Sequence, residues 1–351
     1  AEKDIPIDFR NPADTKYSTN WFDLILHNNA PYKDINVNLS SGKGPIKSVL
    51  SLGYYKEDGS LQYTGYERTS VRTNLSGDVN KVIRVGMNLA GSYSKSNLAS
   101  TDGRNAQVGL TLISDPRYPA YDAKGELIPY YNGVGDVFGF PNPLYLLKHI
   151  SRTRNIADIL SNGYIEINLA KGLKFRSSVN AKINYNTYKE FVPSAIGLAV
   201  ATGSNGAPPR IATERDDSEE LRNFSADQVL SYVTNFGDNH HFDAMIGYTA
   251  QQETVKGLYG SGNTFPDDLA PYLGNATIRS SNSMERRWAM MAYLARVNYA
   301  YKDKYLLSAT MRREGSSRFS EGHKFGNFPA ISAGWRISEE AYKNKKEWLT
   351  D

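Results

Sequence analysis

The stretch that decides the fold runs from Trp288 to Arg336. It reads W-A-M-M-A-Y-L-A-R-V-N-Y-A-Y-K-D-K-Y-L-L-S-A-T-M-R-R-E-G-S-S-R-F-S from Trp288, then G-N-F-P-A-I-S-A-G-W-R from Gly326. Met291, Tyr293, Ala295, Val297, Tyr299 and Tyr301 occupy alternate positions, with Arg296, Asn298 and Ala300 between them. A period of two with one apolar and one mixed side marks a strand with two different environments. Lys302-Asp303-Lys304 breaks the pattern, and Tyr305, Leu307, Ala309 and Met311 resume it against Leu306, Ser308, Thr310 and Arg312. Two long strands about a short polar break make an antiparallel hairpin. Tyr299, Tyr301 and Tyr305 crowd its turn end, and amphipathic rings collect where an apolar band meets water at a membrane surface.

The same rhythm extends to the rest of the chain. Strands are expected at Asp34–Ser41, Ile46–Lys56, Tyr66–Ser76, Lys81–Ser94, Ile156–Ala170, Leu173–Tyr188, Leu221–Phe236 and His241–Thr254, with a last one at Gly326–Ile337. The cleanest has Leu173, Phe175, Ser177, Val179, Ala181, Ile183 and Tyr185 opposed to Lys174, Arg176, Ser178, Asn180, Lys182, Asn184 and Asn186. In Lys81–Ser94, Ile83, Val85, Met87 and Leu89 oppose Arg84, Gly86, Asn88 and Ala90. Short breaks at Gly42, Gly77, Lys171, Gly237 and Lys302 alternate with connections after Lys56, Ser94, Tyr188, Thr254 and Glu314. Three of these, Lys95–Asn155, Lys189–Glu220 and Val255–Arg287, are expected as long loops. Ala1–Pro31 has no sustained period, with a helical turn expected within Trp21–Leu26.

The expected fold is all-β: an antiparallel transmembrane β-barrel, about eleven strands of a larger one, with short periplasmic turns and long extracellular loops. Strands of about 11–15 residues, tilted by about 40°, cross an apolar band of about 25 Å. The totals agree with this reading. The chain of 351 residues is 40% hydrophobic, with 24 Tyr, 29 Gly and no Cys. No window approaches the apolar run of a membrane helix, and a barrel hides its apolar residues in every second position. The lack of cysteine excludes disulfides and thiolate metal sites. A net charge of +4 is too small to indicate nucleic acid.

Y-K-D-K-Y-L-L-S-A-T-M-R-R-E-G-S-S-R-F-S (Tyr301–Ser320) followed by F-P-A-I-S-A-G-W-R-I-S-E-E (Phe328–Glu340) resembles the barrel signature of the SusC/RagA family of TonB-dependent outer-membrane transporters. T-N-W-F-D-L-I-L (Thr19–Leu26) and I-N-V-N-L-S-S-G (Ile35–Gly42) resemble the family's entry into an early barrel strand. The resemblance implies a 22-stranded barrel with a plugged lumen. It also implies import of oligosaccharides or peptides driven through TonB, and a SusD-like surface lipoprotein as partner. Neither plug nor TonB segment is recognisable, so the chain is expected to be a partial barrel domain over 1–351, its other strands supplied elsewhere. Ala1–Arg10 is polar; a signal peptide is expected to have been removed by processing or truncation.

The chemistry-bearing residue types point away from catalysis. His240-His241 are adjacent and so lie on opposite faces of a strand, which disfavours a metal site. Asp227 and Glu166 show no paired acid–base spacing. Gly133-Val134-Gly135 lacks the strand-to-helix context of a phosphate loop, and Gly315-Ser316-Ser317-Arg318 is no nucleophile elbow. No cofactor is expected. Arg68, Arg72, Arg84, Arg176, Arg296, Arg312 and Arg336 fall on the expected lumen face. They either line the path of a polar solute or form salt bridges to the plug and neighbouring strands. Tyr118, Tyr121, Tyr130, Tyr131, Phe138, Phe140 and Tyr145 crowd the first long loop. They either stack on substrate or partner or pack a small core within the loop. A passive porin-like or adhesin-like barrel, and a soluble β-rich glycan-binding module, are the competing functional readings.

Overall fold

The structure is a computed structural model that describes residues 16–42, 44–100, 106–131, 139–199 and 210–337. A short helix α1 (Trp21–Ile25) precedes β1 (Tyr32–Ser41), β2 (Ile46–Asp58), β3 (Gly65–Asp78) and β4 (Ile83–Asn97). The first long connection holds α2 (Gln107–Ile113), the two-residue strands β5 (Tyr130–Tyr131) and β6 (Phe140–Pro141), and α3 (Pro143–His149). Then come β7 (Ser151–Ala170) and β8 (Leu173–Val192), the small pair β9 (Leu198–Ala199) and β10 (Arg210–Ile211), and β11 (Thr213–Phe236). The chain continues with β12 (His240–Asn263), β13 (Ile278–Tyr301), β14 (Tyr305–Ser316) and β15 (Phe325–Trp335). Eleven strands form one sheet in the order β1-β2-β3-β4-β7-β8-β11-β12-β13-β14-β15, each pairing antiparallel with its sequence neighbours. The meandering all-β architecture expected from the alternation is the one observed.

Register gives the sheet two faces. Met87 on β4 aligns with Leu75 on β3 and Gly163 on β7. Val179, Ala226, Ala250, Met291 and Gly315 lie in one row on the same face. Ile35, Leu39, Leu52, Met87, Val179, Phe224, Ile246 and Val297 stay exposed there. A water-soluble protein does not leave so large a continuous apolar surface uncovered. At the short-turn end the face finishes in rings: Tyr301 stacks near Tyr305 at 6.3 Å, and Tyr305 near Trp335 at 6.5 Å. Such a girdle belongs at a membrane interface.

The short turns are tight for local reasons. Lys302 and Asp303 both take positive φ, 52° and 54°, the left-handed conformation of the primed hairpin turns whose twist matches their strands. Lys304 N–H donates to the Tyr301 carbonyl at 3.0 Å across it. Gly172 has φ 78°, and a Cβ there would stand 2.1 Å from the Val233 carbonyl oxygen. Only glycine fits a left-handed turn packed this closely on the next hairpin.

Two expectations need correction. The strands are longer than the alternation indicates: β7 and β8 run 20 residues, and β11, β12 and β13 run 24. Lys189–Val192, Thr213–Glu220, Val255–Asn263 and Ile278–Arg287 fall within the expected loops and are strand. Beyond the apolar band both faces are wet, so the period of two in hydropathy vanishes. Backbone pairing continues because each strand still has a neighbour. The Lys95–Asn155 connection is also not an irregular loop throughout. Its α2 and α3 pack with α1 into a cap at the end away from the short turns, where Ile25, Leu61 and Leu147 form one cluster and Leu110, Leu146 and Ile196 another. Asn142 starts α3, its side-chain oxygen accepting from Leu144 N–H at 3.0 Å, with Pro143 in the first turn. That is the favoured way to begin a helix.

Candidate functional site: the inward wall and its outer vestibule

Opposite the apolar face lies a polar one. Asn88 Nδ2 donates to Asn162 Oδ1 at 3.1 Å, Asn162 Nδ2 to Asn180 Oδ1 at 2.7 Å, and Asn180 Nδ2 to Asp227 Oδ2 at 2.9 Å. Thr249 Oγ1 donates to the other Asp227 oxygen at 2.8 Å. This chain of side-chain bonds crosses five strands, β4, β7, β8, β11 and β12. Amide side chains, which donate and accept at once, suit such a ladder. Farther outward, Asn223 Nδ2 and Trp288 Nε1 each donate to Glu253 at 2.9 Å, and the Arg318 guanidinium lies 4.7 Å from the Trp288 ring centre. Arg318, at the end of the Arg-Glu-Gly-Ser-Ser-Arg run of the opening stretch, thus joins this wall.

Six of the seven arginines, Arg68, Arg72, Arg84, Arg176, Arg296 and Arg312, share this face by register. Arg84 pairs with Asp78 at 2.7 Å, and Arg312 with Glu314 at 2.5 Å. Arg176 stands 3.9 Å from Glu166 and stacks 4.2 Å over Tyr164. Among the described residues, no acidic partner stands against Arg68, Arg72 or Arg296. Arg72 lines a shallow recess of about 340 Å³ beside the asparagine ladder. Arg336 follows β15, its backbone N–H donating to the Lys304 carbonyl at 2.8 Å.

At the outer end of the same face a recess of about 430 Å³ opens where β7, β8, β11 and β12 overshoot the apolar band, with Leu98–Ser100 along its edge. Tyr188 is its centre. Arg154 and Arg215 place their guanidinium carbons 5.5 and 5.4 Å from the Tyr188 ring centre. Its hydroxyl donates to Glu190 at 2.8 Å, and Arg152 donates to the same carboxylate. Arg215 pairs with Asp217 at 2.6 Å, and Tyr259 donates to Glu219 at 3.3 Å. Cations, carboxylates and aromatic faces alternate over a few ångströms. Such a wall binds polar solutes through charge-assisted hydrogen bonds and stacking. The alternation of hydropathy did not find these residues, because they lie above the band. A signal was present: Arg152-x-Arg154, Tyr188-x-Glu190 and Arg215-x-Asp217-x-Glu219 keep the period of two in charge after it is lost in hydropathy.

The loop aromatics divide. Tyr131 and Phe140, 7% and 8% exposed, pack with Trp21, Ala120 and Tyr118. Tyr118 and Tyr131 rings are 4.9 Å apart, as are Tyr131 and Phe140. Burial raises the Tyr131 phenol above its ordinary range, and its hydroxyl donates to the Pro119 carbonyl. Trp21 Nε1 donates to the Asp115 carbonyl at 3.0 Å, and a hydrogen bond from Arg117 holds the Asp115 carboxyl below its usual range. Tyr121 is 45% exposed. Tyr130 lies 4.0 Å under the Arg210 guanidinium, and Tyr145 stacks on His149 at 3.8 Å. Phe138 and Gly133-Val134-Gly135 lie outside the described residues. His240 contacts the Tyr299 hydroxyl at 2.6 Å and His241 contacts Asn235 at 2.7 Å, from opposite faces at the start of β12.

A sheet with one lipid-compatible face, one hydrogen-bonded polar face, tight turns at one end and an elaborated cap at the other is a portion of an outer-membrane β-barrel wall. In sequence the chain is similar to proteins named as TonB-dependent receptors, SusC among them. A TonB-dependent receptor of Formosa agariphila is 26% identical over 351 residues, covering 97% of this chain and 33% of that one. The TonB-dependent receptor SusC of Bacteroides thetaiotaomicron is 25% identical over 354 residues, 97% and 34% of the two chains. The RagAB peptide transporter structure superposes with a TM-score of 0.79 at 18% identity, over 96% of this chain and 37% of that one. No protein-family profile matches the sequence. The chain thus spans about a third of the length of the curated relatives it matches.

Proposed function

We propose that this chain is part of the barrel domain of an outer-membrane transporter that imports polar oligomers, peptides or oligosaccharides, using energy delivered through TonB. The observation that carries this reading is the mixed-charge vestibule around Tyr188, which opens at the outer end of the inward wall. The relatives named as TonB-dependent receptors support the energy coupling, and the RagAB peptide transporter supports the solute class. A SusD-like surface lipoprotein is the proposed partner at the cap, and TonB is engaged by a region outside this chain. Tyr121, Tyr130 and Tyr145 are the loop rings proposed to touch solute or lipoprotein. Tyr118, Tyr131 and Phe140 stiffen the cap beneath them. The protein's role is passage, with no catalytic step.

The test uses the full-length transporter. Arg154→Ala combined with Tyr188→Ala should lower uptake of the growth-supporting oligomer by about tenfold or more at limiting concentration, with unchanged protein in the membrane. Unaltered uptake would remove the vestibule from the solute path. Uptake that persists after the inner-membrane proton gradient is collapsed would favour a passive barrel instead.

A further inference from the structure

The apolar face is not uniform. Near its outer end, Ala226, Ala250, Ala289 and Gly315 come from four adjacent strands and leave a furrow, walled by Phe224 and Phe325. The groove holds about 500 Å³. Ala226 and Ala250 pair across β11 and β12, and Ala289 lies one step outward of Met291 on β13, so short side chains open a groove on a face otherwise built from Leu, Ile, Val, Met and aromatic residues. Charge gathers at one corner of it. Arg313 occupies an outward position in β14, between Met311 and Gly315. Its guanidinium reaches outward over the Phe325 ring, 5.2 Å from the centre. Arg313 has no acidic partner among the described residues. Arg222 and Arg287, which stand above the groove, are each ion-paired, with Glu220 and Glu285.

An arginine that faces lipid without a counter-charge is unfavourable. An aromatic ring offsets part of that cost, and a phosphate offsets more, because the guanidinium fork matches phosphate oxygens. We infer that this groove is a binding site for a phosphate-bearing membrane lipid, one acyl chain lying over Ala226, Ala250 and Ala289 and the phosphate held by Arg313. The lipid would be held at this sector of the barrel, beneath the vestibule and not within it.

The experiment uses the full-length protein extracted in a neutral maltoside detergent. Native mass spectrometry should show one retained lipid, and added dimyristoyl phosphatidic acid should replace it and raise the unfolding temperature. Ala250→Phe, which fills the groove, should abolish retention while the barrel stays heat-modifiable. Arg313→Gln should weaken phosphatidic acid binding by about fivefold, and Val85→Phe, elsewhere on the apolar face, should leave it unchanged. Equal retention in wild type and Ala250→Phe would overturn the inference. So would an equal thermal shift from inorganic phosphate alone, or a lipid-free dimer that Ala250→Phe dissociates.

Discussion

Met87 and Asn88 are neighbours with opposite fates. Met87 points outward and is exposed, while Asn88 points inward and donates to Asn162. Nothing in the two residues separately determines this; the pleat does, since consecutive side chains leave a strand on opposite sides. In the full-length protein, Met87→Arg should cost about 2–4 kcal/mol of folding free energy in lipid vesicles, and Asn88→Arg distinctly less. Equal costs would contradict the facing. Tyr131 gives a second test at this scale. Its buried phenol titrates above the ordinary 10.0, so the neutral form is favoured in the folded cap. That contribution is complete below pH 10 and is lost as pH rises toward the folded value. Proteolysis of the 106–131 segment should accelerate with alkaline pH, and Tyr131→Phe should flatten the dependence.

Among elements, the cap is the one whose stability rests on ordinary burial. Its helices are 5 and 7 residues long, too short to persist alone. They hold because Trp21, Ile25, Leu110 and Leu146 are buried against one another's neighbourhoods and because Asn142 satisfies both ends of a junction. Its Oδ1 accepts from the α3 backbone while its Nδ2 donates to the Ala120 carbonyl at 2.9 Å. Asn142→Ala should cost about 1–2 kcal/mol locally. Limited trypsin digestion should then cut the cap, after Arg117 or Lys148, while the barrel strands remain protected. Unchanged digestion would mean that the cap is held by contacts other than these.

At the scale of the whole molecule, β1 and β15 each pair on one side only among the described residues. Unpaired backbone facing hydrocarbon costs several kcal/mol per group. Residues 1–351 expressed alone are therefore expected to give no heat-modifiable, trypsin-resistant species in lipid vesicles. Strands that pair the free edges of β1 and β15 are expected to restore one. A monodisperse, membrane-inserted product from the 351 residues by themselves would overturn this.

What the sequence by itself determined is the part the bilayer dictates. Lipid on one side and water on the other force alternation, so the number of strands, the positions of the tight turns and the facing of Val85, Val179 or Arg176 were legible one strand at a time. The Trp21–Leu26 turn was legible too, from a short apolar run at the head of an unpatterned segment. What only the tertiary structure decided is everything that depends on which strand stands beside which. The overshoot of β11 to β13 comes from neighbour pairing in water, where hydropathy carries no period. The vestibule joins Arg154, Tyr188 and Arg215, which lie on three strands and meet through register. The cap brings Trp21 to Tyr131 across more than a hundred residues of chain, and the aromatic burial that results follows from packing, which no local pattern encodes.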